Sequence, residues 1–304
     1  MARLGLTLLG AALILAVLRD VLHELFHPEA SGSISAFVMR TVWRGTRILG
    51  KRRGTAAYHA GPMILVAVAL CWTTLLALGW TLLYWPRLGD SFTPNPRLGE
   101  AATHGFATAV YVSLASMSTL SASDITPTSV AMRYAVTLES FVGPIIFTAW
   151  ITWVLSIYPV LAERRAFARQ IEILRRTDAN PAAAPAASVP VTAELLLSFT
   201  EQVLRITAHV QQSRVTYYFQ NDTPGETLAR QLPWAMDVAR AAAVQTDNPA
   251  LARHGAMLSM AIEDLLQDLA ANYLGKSGAS PHAVIGALVA DNMLQERRKR
   301  PRET

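Results

Sequence analysis

Residues 111–129 read Tyr-Val-Ser-Leu-Ala-Ser-Met-Ser-Thr-Leu-Ser-Ala-Ser-Asp-Ile-Thr-Pro-Thr-Ser. An apolar, helix-compatible run from Gly105 leads into this stretch, and a hydroxyl-rich segment closed by Pro127 leaves it. The run is too short to cross a bilayer, whose hydrocarbon core takes about 20 apolar residues at 1.5 Å each. A short helix followed by polar backbone is tolerated at membrane depth only where that backbone is buried in protein or lines a water-filled path. The character of the flanking sequence therefore decides the fold.

Both flanks have the length and composition of membrane spans. On the N-terminal side a run from Met63 to about Tyr84 is bracketed by Pro62 and Pro86, with Trp72, Trp80 and Trp85 expected near one interface. On the other side a run from about Tyr134 to Tyr158 carries Trp150 and Trp153 and one ionisable residue, Glu139. A third run, from about Leu4 to Leu22, ends with Arg19 and Asp20; no small-residue cleavage site follows, so it is expected to be a retained helix. Composition agrees, since 52% of the residues are hydrophobic and only 16% are charged, below the roughly 25% of soluble domains. The single cysteine, Cys71, excludes a disulfide framework or a thiolate metal site within one chain.

The net charge is +5, and its placement separates a membrane protein from a nucleic-acid binder. Arg40, Arg44, Arg47, Lys51, Arg52 and Arg53 form one cluster, and Arg164, Arg165, Arg169, Arg175 and Arg176 another. Both flank apolar spans, as cytoplasmic loops do, so no nucleic acid is expected as a partner. With both clusters in the cytoplasm, the stretch from Trp85 to Val130 lies outside and everything beyond Glu163 lies inside. The basic stretch Arg40 to Arg53, with Trp43 among its charges, suits an amphipathic segment lying along lipid headgroups.

These features divide the chain into an N-terminal transmembrane helix and basic interfacial segment (1–60), a pore-like membrane domain (61–162), a connecting helix and Pro/Ala-rich linker (163–191), a helical domain (192–297) and a basic tail (298–304). Turn signals split the helical domain into segments near 192–218, 225–245, 249–274 and 281–296. Leu196, Phe199, Val203 and Ile206 recur at helical spacing, as do Met257, Met260, Leu265 and Leu269 less strictly, which predicts a small bundle. No glycine-rich nucleotide loop is present, and no cofactor is expected.

The region from about 60 to 160 resembles the potassium-channel superfamily, in which a pore helix between two spans is followed by a Thr-Val-Gly-Tyr-Gly-Asp filter. The matching residues are Thr119, Leu120, Ser121, Ala122, Ser123 and Asp124, with Pro127 after them and Tyr111-Val112-Ser113-Leu114 in the pore helix. The resemblance implies an all-α membrane protein: three transmembrane helices, a re-entrant pore helix between the second and third, and a cytoplasmic α-helical domain. It also implies a homotetrameric ion channel in the cell membrane that passes monovalent cations without covalent chemistry, so not an enzyme.

The match holds at the ends of the motif and fails in its middle. Such filters aim carbonyls at the ion path, which needs left-handed backbone at the two positions held here by Ser121 and Ser123. That conformation costs a residue with a Cβ roughly 1–2 kcal/mol, on the order of 8–16 kcal/mol for two residues in four subunits. A wider, partly hydrated path with weak potassium selectivity is the expectation. Thr119 would then line the inner end and Asp124 the outer mouth. Glu139 is an intramembrane carboxylate and so a functional candidate, here expected to brace the pore loop through hydrogen bonds. Gly143-Pro144 resembles the glycine hinge of inner helices, and close packing is its alternative.

Two other readings compete. A non-conducting sensor or scaffold could keep the same architecture. The stretch His23-Glu24-Leu25-Phe26-His27 matches H-E-x-x-H, which on a helix offers two imidazoles to zinc and a glutamate as general base. Asp20 lies on a similar face, but a catalytic zinc needs a third ligand and no second motif supplies one. His23 and His27 also suit a pH- or metal-sensitive gate.

Overall fold

The computed structural model describes residues 1–26, 32–53, 60–95, 105–118, 120, 124–178, 191–219, 227–276 and 278–293. Its elements are almost all helical: α1 (Ala2–Phe26), α2 (Ser33–Arg53), α3 (Ala60–Tyr84), α4 (Leu88–Ser91), α5 (Phe106–Met117), α6 (Val130–Asp178), α7 (Ala193–Gln212), α8 (Leu228–Ala243), α9 (Pro249–Leu269) and α10 (Pro281–Met293). Among the described residues three helices are long and apolar enough to cross a membrane, within Ala2–Leu25, Ala60–Ser91 and Val130–Thr177. The exception to the helical pattern is an antiparallel ladder of β1 (Phe92–Pro94) and β2 (Ile125–Pro127), pairing Phe92 with Pro127 and Pro94 with Ile125. Thr128 N–H donates to Ser91 O at 2.9 Å and extends the tie. No strand was expected here, because three residues give no readable alternation.

Contacts divide the chain into two compact units, Met1–Thr41 with Ile64–Leu155, and Val42–Met63 with Ser156–Thr304. In the first unit α1 and α3 meet at a pair of glycines. A Cβ on Gly10 would lie 2.5 Å from Gly79 O, and one on Gly79 would lie 2.7 Å from Ile14 Cγ1. Small residues let helix backbones approach this closely in a membrane, where dispersion replaces the hydrophobic drive. Trp72 and Trp80 are buried, so their rings serve packing and not the lipid interface expected of them; Trp85 is more exposed.

The second unit is a bundle whose core joins the charged end of α6 to the four C-terminal helices. Phe167, Ala168 and Ile171 of α6 are fully buried with Leu196 and Phe199 of α7, and Phe167 meets Phe199 edge to face at 5.3 Å. The helix starts follow local chemistry: Thr192 accepts from Leu195 N–H, and Asn248 accepts from Leu251 N–H with Pro249 next in the chain. Gly275 ends the α9 run in the left-handed region at φ 61°. Trp43 is buried against Tyr218 at 5.3 Å and Tyr217 at 6.3 Å, so its ring packs on protein and does not lie along headgroups.

Candidate functional site

Helix α5 has 12 residues, about 18 Å at 1.5 Å each, against roughly 30 Å of hydrocarbon. An apolar helix of this length needs specific partners to hold it, and α3 and α6 provide them. Glu139 of α6 is fully buried. Its Oε2 accepts from the Tyr84 hydroxyl at 2.7 Å, and its Oε1 lies 2.6 Å from the Ser113 hydroxyl of α5. Ser113 also lies 3.1 Å from Ala77 O of α3, so one hydroxyl proton serves two acceptors. Three helices thus converge on one carboxylate. Burying such a group without donors would be very costly, and the two hydroxyls meet that need.

The far end of α5 is fixed differently. Gly143 of α6 packs directly on the Met117 carbonyl, and any Cβ at 143 would collide with it. Ser118 closes the helix, its N–H donating to Leu114 O at 3.0 Å and its hydroxyl to the same oxygen at 2.8 Å. Beside this end lies a cavity of about 600 Å³, lined by Leu70 and Thr73 of α3, Leu114 and Met117 of α5, and Pro144 and Phe147 of α6. At the other end, Phe106 meets Trp85 edge to face at 5.3 Å.

Of the six residues expected from the sequence to form a filter, Thr119, Ser121, Ala122 and Ser123 lie outside the described residues. Leu120 is exposed. Asp124 precedes β2; its carbonyl accepts from Asn95 N–H at 2.7 Å, and its carboxylate lies 3.5 Å from the Tyr111 hydroxyl. The β-ladder therefore ties the stretch from Asp124 onward to the end of the α3 region. Sequence reading singled out Glu139 and placed Ser113 in the pore-helix match and Tyr84 at the end of a span, but missed that these two hydroxyls are its partners. Their signal was indirect: a carboxylate in an apolar span requires donors, and these hydroxyls lie in the neighbouring apolar segments.

The rival motif is partly accounted for. His27 lies outside the described residues, while His23 is partly buried near the end of α1. Glu24 is buried, and its Oε2 is 3.4 Å from Gly32 N, just ahead of α2. Asp20 is fully engaged: Oδ1 accepts from Ile34 N–H at 2.8 Å, and Oδ2 accepts from Ser35 N–H, the Ser35 hydroxyl and Trp72 Nε1–H at 3.0, 2.6 and 2.9 Å. A carboxylate at a helix N-terminus satisfies otherwise orphan N–H groups, so Asp20 anchors α2 and α3 to α1. Among the described residues no group of three or more His, Cys, Asp or Glu is placed to hold a metal ion.

No family model matches the chain, and no solved structure matches it. The chain is 23% identical over 170 residues to an uncharacterized membrane protein of Bacillus subtilis, YdjJ. The match covers 55% of this chain and 48% of that protein, so the chain spans about half the length of the curated relative it matches. Three apolar helices of spanning length, with this likeness, make the chain a membrane protein with transmembrane helices.

Proposed function

We propose that the chain is the pore-forming subunit of a potassium-channel-like cation channel, with α5 as a re-entrant pore helix and residues 119–124 as its filter. The observation that carries this reading is the hold on α5. A helix too short to cross is fastened to two spans through Glu139, Ser113 and Tyr84, and its last carbonyl rests on Gly143. A hydroxyl-rich stretch of sequence follows at once, and at membrane depth such a stretch is accepted only on a protein-lined or water-lined route.

A second feature of the same unit supports assembly into a homotetramer. Tyr134, Leu138, Phe141, Ile145, Thr148, Thr152 and Leu155 recur on α6 at alternating intervals of four and three, and all are exposed in the single chain. Such a stripe forms a seam between helices, and its two threonines place hydroxyls on an otherwise apolar face. In the proposed channel this face meets the other subunits and the shared path. The C-terminal bundle lies in the cytoplasm, on the side marked by the arginines after Glu163.

Serines at both filter glycine positions make the path wider and its potassium preference weak. Purified protein in planar bilayers under ion substitution tests this. Cation currents are expected, with nearly the same reversal for potassium and sodium. Strong potassium preference would remove the wide-path reading; absence of current from folded protein would remove the channel itself.

A further inference from the structure

Within the unit that contains Ser156–Thr304, a cavity of about 90 Å³ lies among the bundle helices. Its walls are mostly aliphatic, including Ile206 and Val210 of α7, Leu232 of α8, Leu265 of α9 and Leu288 of α10. One lining group is a cation, Arg164. Its Nη1 donates to Thr216 O at 3.0 Å and its Nη2 to Phe219 O. A guanidinium has five N–H groups, so among the described residues these two bonds leave donors unused. Among the described residues no carboxylate pairs with it, whereas the neighbouring Glu163 faces Arg205 at 3.8 Å and His209 at 3.4 Å.

A partly buried guanidinium beside an apolar hollow has a definite complement. Its planar fork matches a carboxylate in two parallel hydrogen bonds, and its charge within an apolar surround favours an anion. The hollow holds about three water volumes, which suits a chain of a few carbons, and its aliphatic walls disfavour a dianion such as phosphate. We infer that this cavity binds a short-chain aliphatic carboxylate. The carboxylate sits on Arg164, and the chain packs against Ile206, Leu232 and Leu265. The inference is independent of ion conduction, because it rests on the bundle alone.

Calorimetric titration of the full-length protein in detergent with butyrate and hexanoate tests it. Butyramide and inorganic phosphate serve as the neutral and dianionic controls. Saturable binding of at least one carboxylate is expected, at least tenfold tighter than butyramide, with no phosphate signal. Because Arg164 also holds two carbonyls, Arg164→Gln is paired with Leu232→Trp, which fills the hollow and leaves the guanidinium in place. Each is expected to weaken carboxylate binding at least tenfold. Failure of both carboxylates to bind the wild type, equal binding of butyramide, preference for phosphate, or undiminished binding in folded Leu232→Trp would each overturn the inference.

Discussion

Glu139 has two oxygens and meets one hydroxyl at each, in a span where water cannot replace either partner. Replacing it with alanine leaves Tyr84 without its acceptor, while Ser113 retains the Ala77 carbonyl. A buried polar group left unsatisfied costs about 1–3 kcal/mol, so Glu139→Ala is expected to destabilise the fold by about that much. Glu139→Gln retains one carbonyl oxygen and the side-chain volume, and should lose less. Thermal unfolding in detergent checks the order. An alanine variant as stable as the wild type would mean that the carboxylate does not hold α5. At this scale the sequence was legible for Glu139, whose isolation in an apolar run marks it. For Asp20 it offered only a place beside the H-E-x-x-H face, because the four donors that occupy its carboxylate come from α2 and from Trp72, far along the chain.

Helices α1 and α3 approach through Gly10 and Gly79. Neither belongs to a paired small-residue motif, and so neither was visible before the two helices were seen side by side. Gly79→Leu would drive a branched side chain into Ile14 and the Gly10 carbonyl. Overpacking of a close contact costs typically about 1–3 kcal/mol, and here the Ile14 side chain stands nearest, with the Gly10 carbonyl and the Ile14 backbone behind it. The expected outcome is a lower unfolding temperature, largely relieved at Gly45→Leu, where a Cβ meets nothing within 4 Å. Equal effects at the two positions would deny that α1 and α3 pack through these glycines. Other elements were legible in proportion to how local their causes are. The turn signals around Asn248-Pro249 and Gly275 placed the start of α9 and the end of the helical run that continues it to Leu274, because caps act within a few residues. The buried stripe of α9 was misjudged: Met257 and Met260 are exposed, while Leu258, Ala261 and Ile262 are buried, because a methionine-rich helix is apolar on more than one face.

For the molecule as a whole, a conducting assembly would bring one Asp124 from each subunit to the outer mouth, and a ring of carboxylates there concentrates cations before they enter. The neighbouring geometry is consistent with a fixed position, since the Asp124 carbonyl is tied to Asn95 and the following residues form β2. In such an assembly, removing these charges with Asp124→Asn should lower unitary conductance roughly twofold or more at low salt, by reducing the local cation concentration. The effect must then fade as salt rises, because the Debye length shrinks from about 30 Å at 0.01 M to about 3 Å at 1 M. Single-channel recordings across that range separate this from a structural effect, which would persist at every ionic strength. Unchanged conductance at low salt would place Asp124 away from the ion path. The proposed filter would then have to act without a charged mouth beside it.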